Sequence, residues 1–381
     1  MLPLRPTIAA LLIAAGLSAA HAADPIKIGG LLETSGAVAS LGQPGLEGAM
    51  LAVEQINKTG GINGQPVEFV NVNTESDNTR AVTAVKRLIG QGDIAAIVGP
   101  MNSGSSFAII DTVQRASVPM ISNGGSRNIV LPAEEKKWIF LSPLTDVLVQ
   151  SVMMEDMKKR GITRIALLNA DSPFGTSGRE QLEKNAASYG ITVVSQQAFG
   201  NADQDMTPQL TKVRGTDAQA VVVWATGPGQ AIVVKNYRQL GIDLPLYLSQ
   251  AANDFNFLRL AGPAADGIFI PSSKIYVTGA LAANDPQKAV IETFAKDYEA
   301  KYGKPPATFA GNAYDAVMML AEAVKKAGAT DRAAIRGAIE GLKDHVGVTA
   351  VYTYGPGDHF GAKADSVVML TVKDGKFALV R

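Results

Sequence analysis

Along most of this chain, short β-branched runs alternate with longer stretches whose apolar residues recur at helical spacing. Ile26 to Leu32 predicts a strand, and Leu46, Ala49, Met50, Val53 and Ile56 then mark one face of a helix. Gly60-Gly61 and Asn63-Gly64 signal turns ahead of the next strand, Val67 to Val72. A helix from Arg80 to Ile89 leads to Ile94 to Val98, a continuous apolar run of the kind buried on both faces of a sheet. A helix from Ser105 to Ala116 and a strand from Pro119 to Ser122 complete this series.

The pattern restarts after Pro143. Strands are predicted at Arg164 to Leu168, Thr192 to Gln196, Ala220 to Trp224, Leu246 to Ser249 and Gly267 to Ile270. Helices lie between them, near Val147 to Lys159, Gly175 to Tyr189, Thr207 to Val213 and Gln230 to Leu240. Such alternation predicts an α/β fold with parallel sheets and helices on both faces. Ligand sites in these sheets sit outside the carboxyl ends of the strands. From Pro286 the chain turns helical, over Ala289 to Tyr302, Phe309 to Ala327 and Arg332 to Leu342. It ends in a hairpin, Val367 to Val372 and Phe377 to Val380, around Lys373-Asp374-Gly375. The length calls for two domains, and no low-complexity linker divides them. The late helical stretch therefore reads as a return to the first lobe, with several crossings between lobes.

The first residues change the picture of where the protein works. Arg5, the apolar run Ile8 to Leu17 and Ala20-His21-Ala22 fit a cleaved signal peptide over residues 1–22. The run is short of the roughly 20 apolar residues that span a bilayer, so no direct membrane insertion is expected. The chain has 35 basic and 35 acidic residues, and losing Arg5 leaves a net charge of −1. No basic field exists for nucleic acid. No cysteine is present, which excludes disulfides, thiolate zinc sites and a thiol nucleophile. His345 and His359 lack metal-ligand spacing, and no metal or cofactor is expected. The sequence has no Gly-x-Ser-x-Gly elbow and no Walker A motif. Gly227-Pro228-Gly229 falls short of a dinucleotide fingerprint. An enzyme is therefore not expected.

The ordered markers of the chain resemble those of the leucine/isoleucine/valine-binding family of periplasmic solute receptors for ABC transporters. They are Ile28-Gly29-Gly30-Leu31 with Ser35-Gly36, Gly48-Ala49, Ala52-Val53-Glu54-Gln55-Ile56-Asn57 and Gly60-Gly61-Ile62-Asn63-Gly64. Val98-Gly99-Pro100, Pro173-Phe174-Gly175 and Ala313-Tyr314-Asp315-Ala316 follow. The resemblance implies two Rossmann-like lobes joined by three crossings and closing like a hinge. It assigns 23–143 plus 275–365 to the N-terminal lobe and 144–274 plus 366–381 to the C-terminal lobe. It implies a periplasmic monomer that hands a small solute to permease subunits, or a sensory protein that presents it to a receptor.

Met101-Asn102-Ser103-Gly104-Ser105-Ser106 follows a buried strand and opens a helix. Hydroxyls and free N–H groups there can hold an anion, or can simply cap the helix. The resemblance makes Ser103, with Gly124 and Ser126, the receiver of a ligand carboxylate. Arg127 is either a second carboxylate clamp or a surface arginine. Phe174 matches an aromatic that closes over the ligand, although it also fits a helix-start staple. Ala225 and Thr226 follow the strand ending at Trp224, which itself reads as cleft wall or core. Leu41 and Phe309 match pocket positions of the family. Where the family's amino-acid binders carry an ammonium-pairing glutamate, this chain has Ala251. A buried ammonium without a countercharge is costly. The expected ligand is therefore a carboxylate without an α-amino group, with an aromatic or other apolar body. The alternative is a branched-chain or other neutral amino acid, with Asp254 as its partner; Asp254 also fits a helix cap.

Overall fold

The computed structural model describes residues 24–200, 202–226, 228–328 and 330–380. The expected signal segment lies outside the described residues.

The first series runs β1 (Ile26–Gly30), α1 (Ala39–Lys58), β2 (Val67–Asn71), α2 (Asn78–Gly90), β3 (Ile94–Val98), α3 (Ser103–Ala116), β4 (Met120–Ser122) and β5 (Ile139–Leu141). Its five strands form one sheet in the order β2-β1-β3-β4-β5, with every pairing parallel. All five residues of β3 are buried, as expected of the apolar run at the sheet centre. Helix α1 begins well before the periodic residues Leu46 to Ile56 and carries Pro44 inside it. Proline has no N–H for the carbonyl four residues back.

The second series runs α4 (Asp146–Lys159), β6 (Arg164–Ala170), α5 (Pro173–Asn185), β7 (Thr192–Phe199), α6 (Thr207–Arg214), β8 (Ala220–Trp224), α7 (Gly229–Gln239), β9 (Leu246–Leu248), α8 (Phe255–Ala261) and β10 (Phe269–Ser272). Then come α9 (Lys288–Tyr302), α10 (Thr308–Ala327), α11 (Arg332–Glu340), β11 (His345–Val346), β12 (Val351–Tyr352), β13 (Val368–Lys373) and β14 (Lys376–Leu379). The second sheet has the order β14-β13-β10-β9-β8-β6-β7. It is parallel from β7 to β10, and the final hairpin adds an antiparallel edge.

The chain therefore passes between the two lobes three times: after β5, after β10 and before β13. Between the last two passages, α10 packs along α1 in the first lobe. Gly48 permits this close approach, because a Cβ there would lie 2.0 Å from the Ala310 carbonyl oxygen. A buried network ties the passages together. Asp315 Oδ1 accepts from Val348 N–H at 2.7 Å, and Oδ2 accepts from Thr349 N–H at 2.8 Å and from the Thr349 hydroxyl. The Tyr352 hydroxyl sits beside the same carboxylate and donates to the Ser142 carbonyl at 2.7 Å.

Candidate functional site

A cleft of about 600 Å³ opens between the lobes. It is lined by loops after β1, β3 and β4 on one side and after β6, β8 and β9 on the other. These are the carboxyl ends of the strands, where such sheets place ligands.

On the first lobe the N-terminus of α3 faces the cleft. Asn102, not Ser103, is its cap: Asn102 Oδ1 accepts from Ser105 N–H at 2.8 Å. Ser103 and Gly104 line the cleft, and their N–H groups belong to the first turn, which has no helical acceptors. The Ser103 Oγ accepts from Ser126 N–H at 3.2 Å, which leaves its own proton available. Beneath this turn the carboxylate of Glu33, fully buried, accepts from Met101 N–H at 2.9 Å and from Asn102 Nδ2 at 2.6 Å. Burial pushes its carboxyl up from 4.5 to about 7. Replacing Ser103 with alanine removes a hydroxyl that this turn can offer to an anion, a hydrogen bond worth roughly 1.5–3 kcal/mol wherever an anion is bound there. Ligand affinity should fall about ten- to a hundredfold by calorimetry. The apo melting temperature should fall only slightly: the cap is Asn102, and the change orphans the Ser126 N–H, which costs about 1–3 kcal/mol at most.

On the second lobe Phe174 stands at the start of α5, 6% exposed, with its ring 5.7 Å from that of Trp224. Trp224 is fully buried behind it, in the core rather than in the lining. Gly125 lies opposite: a Cβ there would come within 2.9 Å of the Phe174 ring and 3.2 Å of the Gln250 amide nitrogen. The loop after β9 brings Gln250, Ala251 and Asn253 to the cleft. Asp254 does not join them. Its Oδ1 caps α8 by accepting from Phe257 N–H at 2.5 Å, and burial pushes its carboxyl up to about 6.

Seven sequence-picked residues meet in the lining: Leu41, Met101, Ser103, Phe174, Thr226, Ala251 and Phe309. Gly124, Ser126 and Ala225 stand behind it. The Gly124 N–H donates to Ser122 Oγ at 3.1 Å, so the neighbouring Gly125 takes the cleft position. The Ser126 hydroxyl is buried against Ser177 Oγ at 2.6 Å, and Ser177 donates on to Asp146. Ala225 is in the core, with its carbonyl accepting from Ser249 Oγ at 2.8 Å. Arg127 stacks on Phe360 at 4.8 Å and is no part of the lining. Sequence reasoning passed over Asn123, Gln250, Asn253, Arg259 and Asn312, all of which line the cleft. Three of them sit in loops after β4 and β9, and that position was the available signal. Among the described residues, no cluster of three or more metal-ligating side chains occurs. No described helix is long and apolar enough to cross a membrane.

Two α/β lobes around one cleft, with free helix amides on one wall and an aromatic on the other, define a two-lobed solute-binding protein. A sequence profile of the periplasmic binding protein family matches residues 25–376, and the chain belongs to that family. The leucine-, isoleucine-, valine-, threonine- and alanine-binding protein of Pseudomonas aeruginosa is 26% identical over 85% of this chain and 84% of its own. An extracellular ligand-binding receptor from Rhodopseudomonas palustris HaA2 superposes with a TM-score of 0.87 at 26% identity, covering 94% of this chain and 100% of that one. A branched-chain amino acid transporter substrate-binding protein from Streptococcus pneumoniae, in complex with isoleucine, gives 0.81 at 28% identity, covering 93% and 98%.

Proposed function

We propose that this protein is the periplasmic solute receptor of an ABC importer and that its ligand is a small carboxylate with an apolar body and no α-ammonium. Residues 1–22 direct export. Residues 23–143 with 275–365, and 144–274 with 366–381, act as the two lobes that close on the ligand. The mature protein works as a monomer and delivers the ligand to permease subunits. It leaves the ligand chemically unchanged.

One observation supports this ligand class most directly: among the described residues, Arg259 is the sole charged side chain of the lining, and no carboxylate is present there. An α-ammonium would enter without a countercharge, at a cost of several kcal/mol. A carboxylate instead meets the Ser103 hydroxyl and the first-turn amides of α3. Leu41, Phe174 and Phe309 supply apolar surface for the rest of the ligand.

A second reading, a branched-chain or other neutral amino acid, draws on what the relatives bind. Calorimetry against benzoate, 3-phenylpropenoate, leucine and valine separates the two. The expected result is micromolar binding of an acid with no heat from the amino acids. Micromolar leucine binding would replace the first reading by the second, whether or not Asp254→Asn weakens it, because Asp254 caps α8 outside the lining.

A further inference from the structure

Four amide oxygens of cleft-lining residues lack a hydrogen-bond donor, those of Asn123 and Asn312 on the first lobe and of Gln250 and Asn253 on the second. In the second-lobe pair the orientation of both amides is fixed. Gln250 Nε2 donates to the Leu144 carbonyl at 3.1 Å, which leaves Oε1 as an acceptor only. Asn253 Nδ2 donates to the Pro271 carbonyl at 2.9 Å, which leaves Oδ1 likewise. Turning either amide over would set its oxygen against a carbonyl oxygen. Both free oxygens are buried without a protein partner, and Asn253 is only 1% exposed. Both residues line the cleft, on either side of Ala251.

A buried acceptor left unpaired is costly, so a solute that brings a donor gains what the empty site lacks. The two acceptors are neutral. Asp254, next in sequence, is already committed to capping α8 and stays out of the lining. A full positive charge would therefore meet dipoles alone. A hydroxyl would be satisfied outright.

We propose that the second lobe selects a neutral O–H donor, so that the ligand is a hydroxycarboxylate. Its carboxylate lies at the N-terminus of α3, and its hydroxyl donates to Gln250 Oε1 or Asn253 Oδ1. The proposal rests on the carboxylate reading of the cleft and narrows it.

Calorimetry with matched compounds tests it. One set keeps a single branched skeleton: 4-methylpentanoate, 2-hydroxy-4-methylpentanoate and leucine. The other is benzoate and 4-hydroxybenzoate. In at least one set the hydroxy acid should bind about ten- to a hundredfold more tightly than its parent acid, and leucine should bind more weakly than the hydroxy acid. Gln250→Met and Asn253→Leu each remove one oxygen at similar side-chain volume. In at least one of them the ratio of hydroxy acid to parent acid should shrink at least fivefold. Because the ratio is taken within one variant, general loosening of the loop cancels. Equal binding of acid and hydroxy acid in both sets overturns the hydroxyl assignment but leaves the carboxylate reading standing. A hydroxyl advantage unchanged in both variants also overturns the assignment. Leucine binding above both of its analogues, or no binding by any of the five compounds, overturns both readings.

Discussion

Asp315→Ala should lower the melting temperature by roughly 4–7 °C, a loss of about 3–5 kcal/mol. The carboxylate is buried in α10, where burial holds it above the usual carboxylate range against the pull of its hydrogen bonds. Truncation leaves the N–H groups of Val348 and Thr349 and the Thr349 hydroxyl without their acceptor. Each buried donor so orphaned costs about 1–3 kcal/mol. Water entering the gap recovers part of that. The same change frees Tyr352, whose hydroxyl reaches the Ser142 carbonyl where the chain first passes between lobes. Asp315→Asn keeps the volume and one acceptor, so it should lose about half as much. Thermal and urea unfolding of both variants measure the difference. A loss below about 1 kcal/mol in Asp315→Ala would mean that water or a shifted loop replaces the carboxylate.

The second large effect is a pH dependence centred on Glu33. Its carboxyl is pushed up from 4.5 to about 7 by burial. The folded state therefore holds a proton that the unfolded chain has released between those two values. Stability is fully present below about pH 4.5 and is lost as pH rises through about 7. The loss amounts to about 3 kcal/mol for this group. Asp254, raised from 3.8 to about 6, acts in the same direction over a lower window. Glu33→Gln isolates the first contribution, because an amide does not titrate. The stability of the natural protein relative to Glu33→Gln should fall as pH rises from 4.5 to 7. A difference that stays flat across this range would show that Glu33 is ionised throughout. Glu33 also holds Met101 and Asn102 in place, so Glu33→Gln should weaken ligand binding as well.

Long, strongly patterned elements were legible in the sequence. Ile94 to Val98 and Ala220 to Trp224 form strands with the expected limits, since an apolar run buried on both faces has little else it can become. The final hairpin and the helical return are where expected, within a residue or two. Strand β5 and the β11-β12 hairpin were not legible: two or three residues carry no period, and these lie outside the regular strand-helix alternation that made the equally short β4 and β9 readable. Their pairing is decided by partners far away in sequence. The site was less legible. Ser103, Phe174 and Phe309 are reached through the family resemblance; locally the sequence offers only a helix start at Ser103, which fits a cap equally well, and two aromatics with no address. Gln250 and Asn253 are not reached at all. Their importance lies in which amide edge is consumed by Leu144 and Pro271, and sequence does not encode that edge. Ser126 and Gly124 show the opposite failure, since neighbouring loop positions exchange places through a single turn of backbone.

The order in which the strands pair bears on how this chain acquires its structure. Strand β10 takes β13 as its neighbour, with Ser272 opposite Val368, across the whole helical return. A growing chain that has reached β10 still displays an unpaired sheet edge. That edge is covered only after α9, α10 and α11 have been made. Neither lobe can be completed as an independent early unit, and the long-range closure makes folding slow. Removing residues 366–380 would strip away the cover rather than shorten a tail, and the exposed edge of β10 would then be open to pairing with another copy.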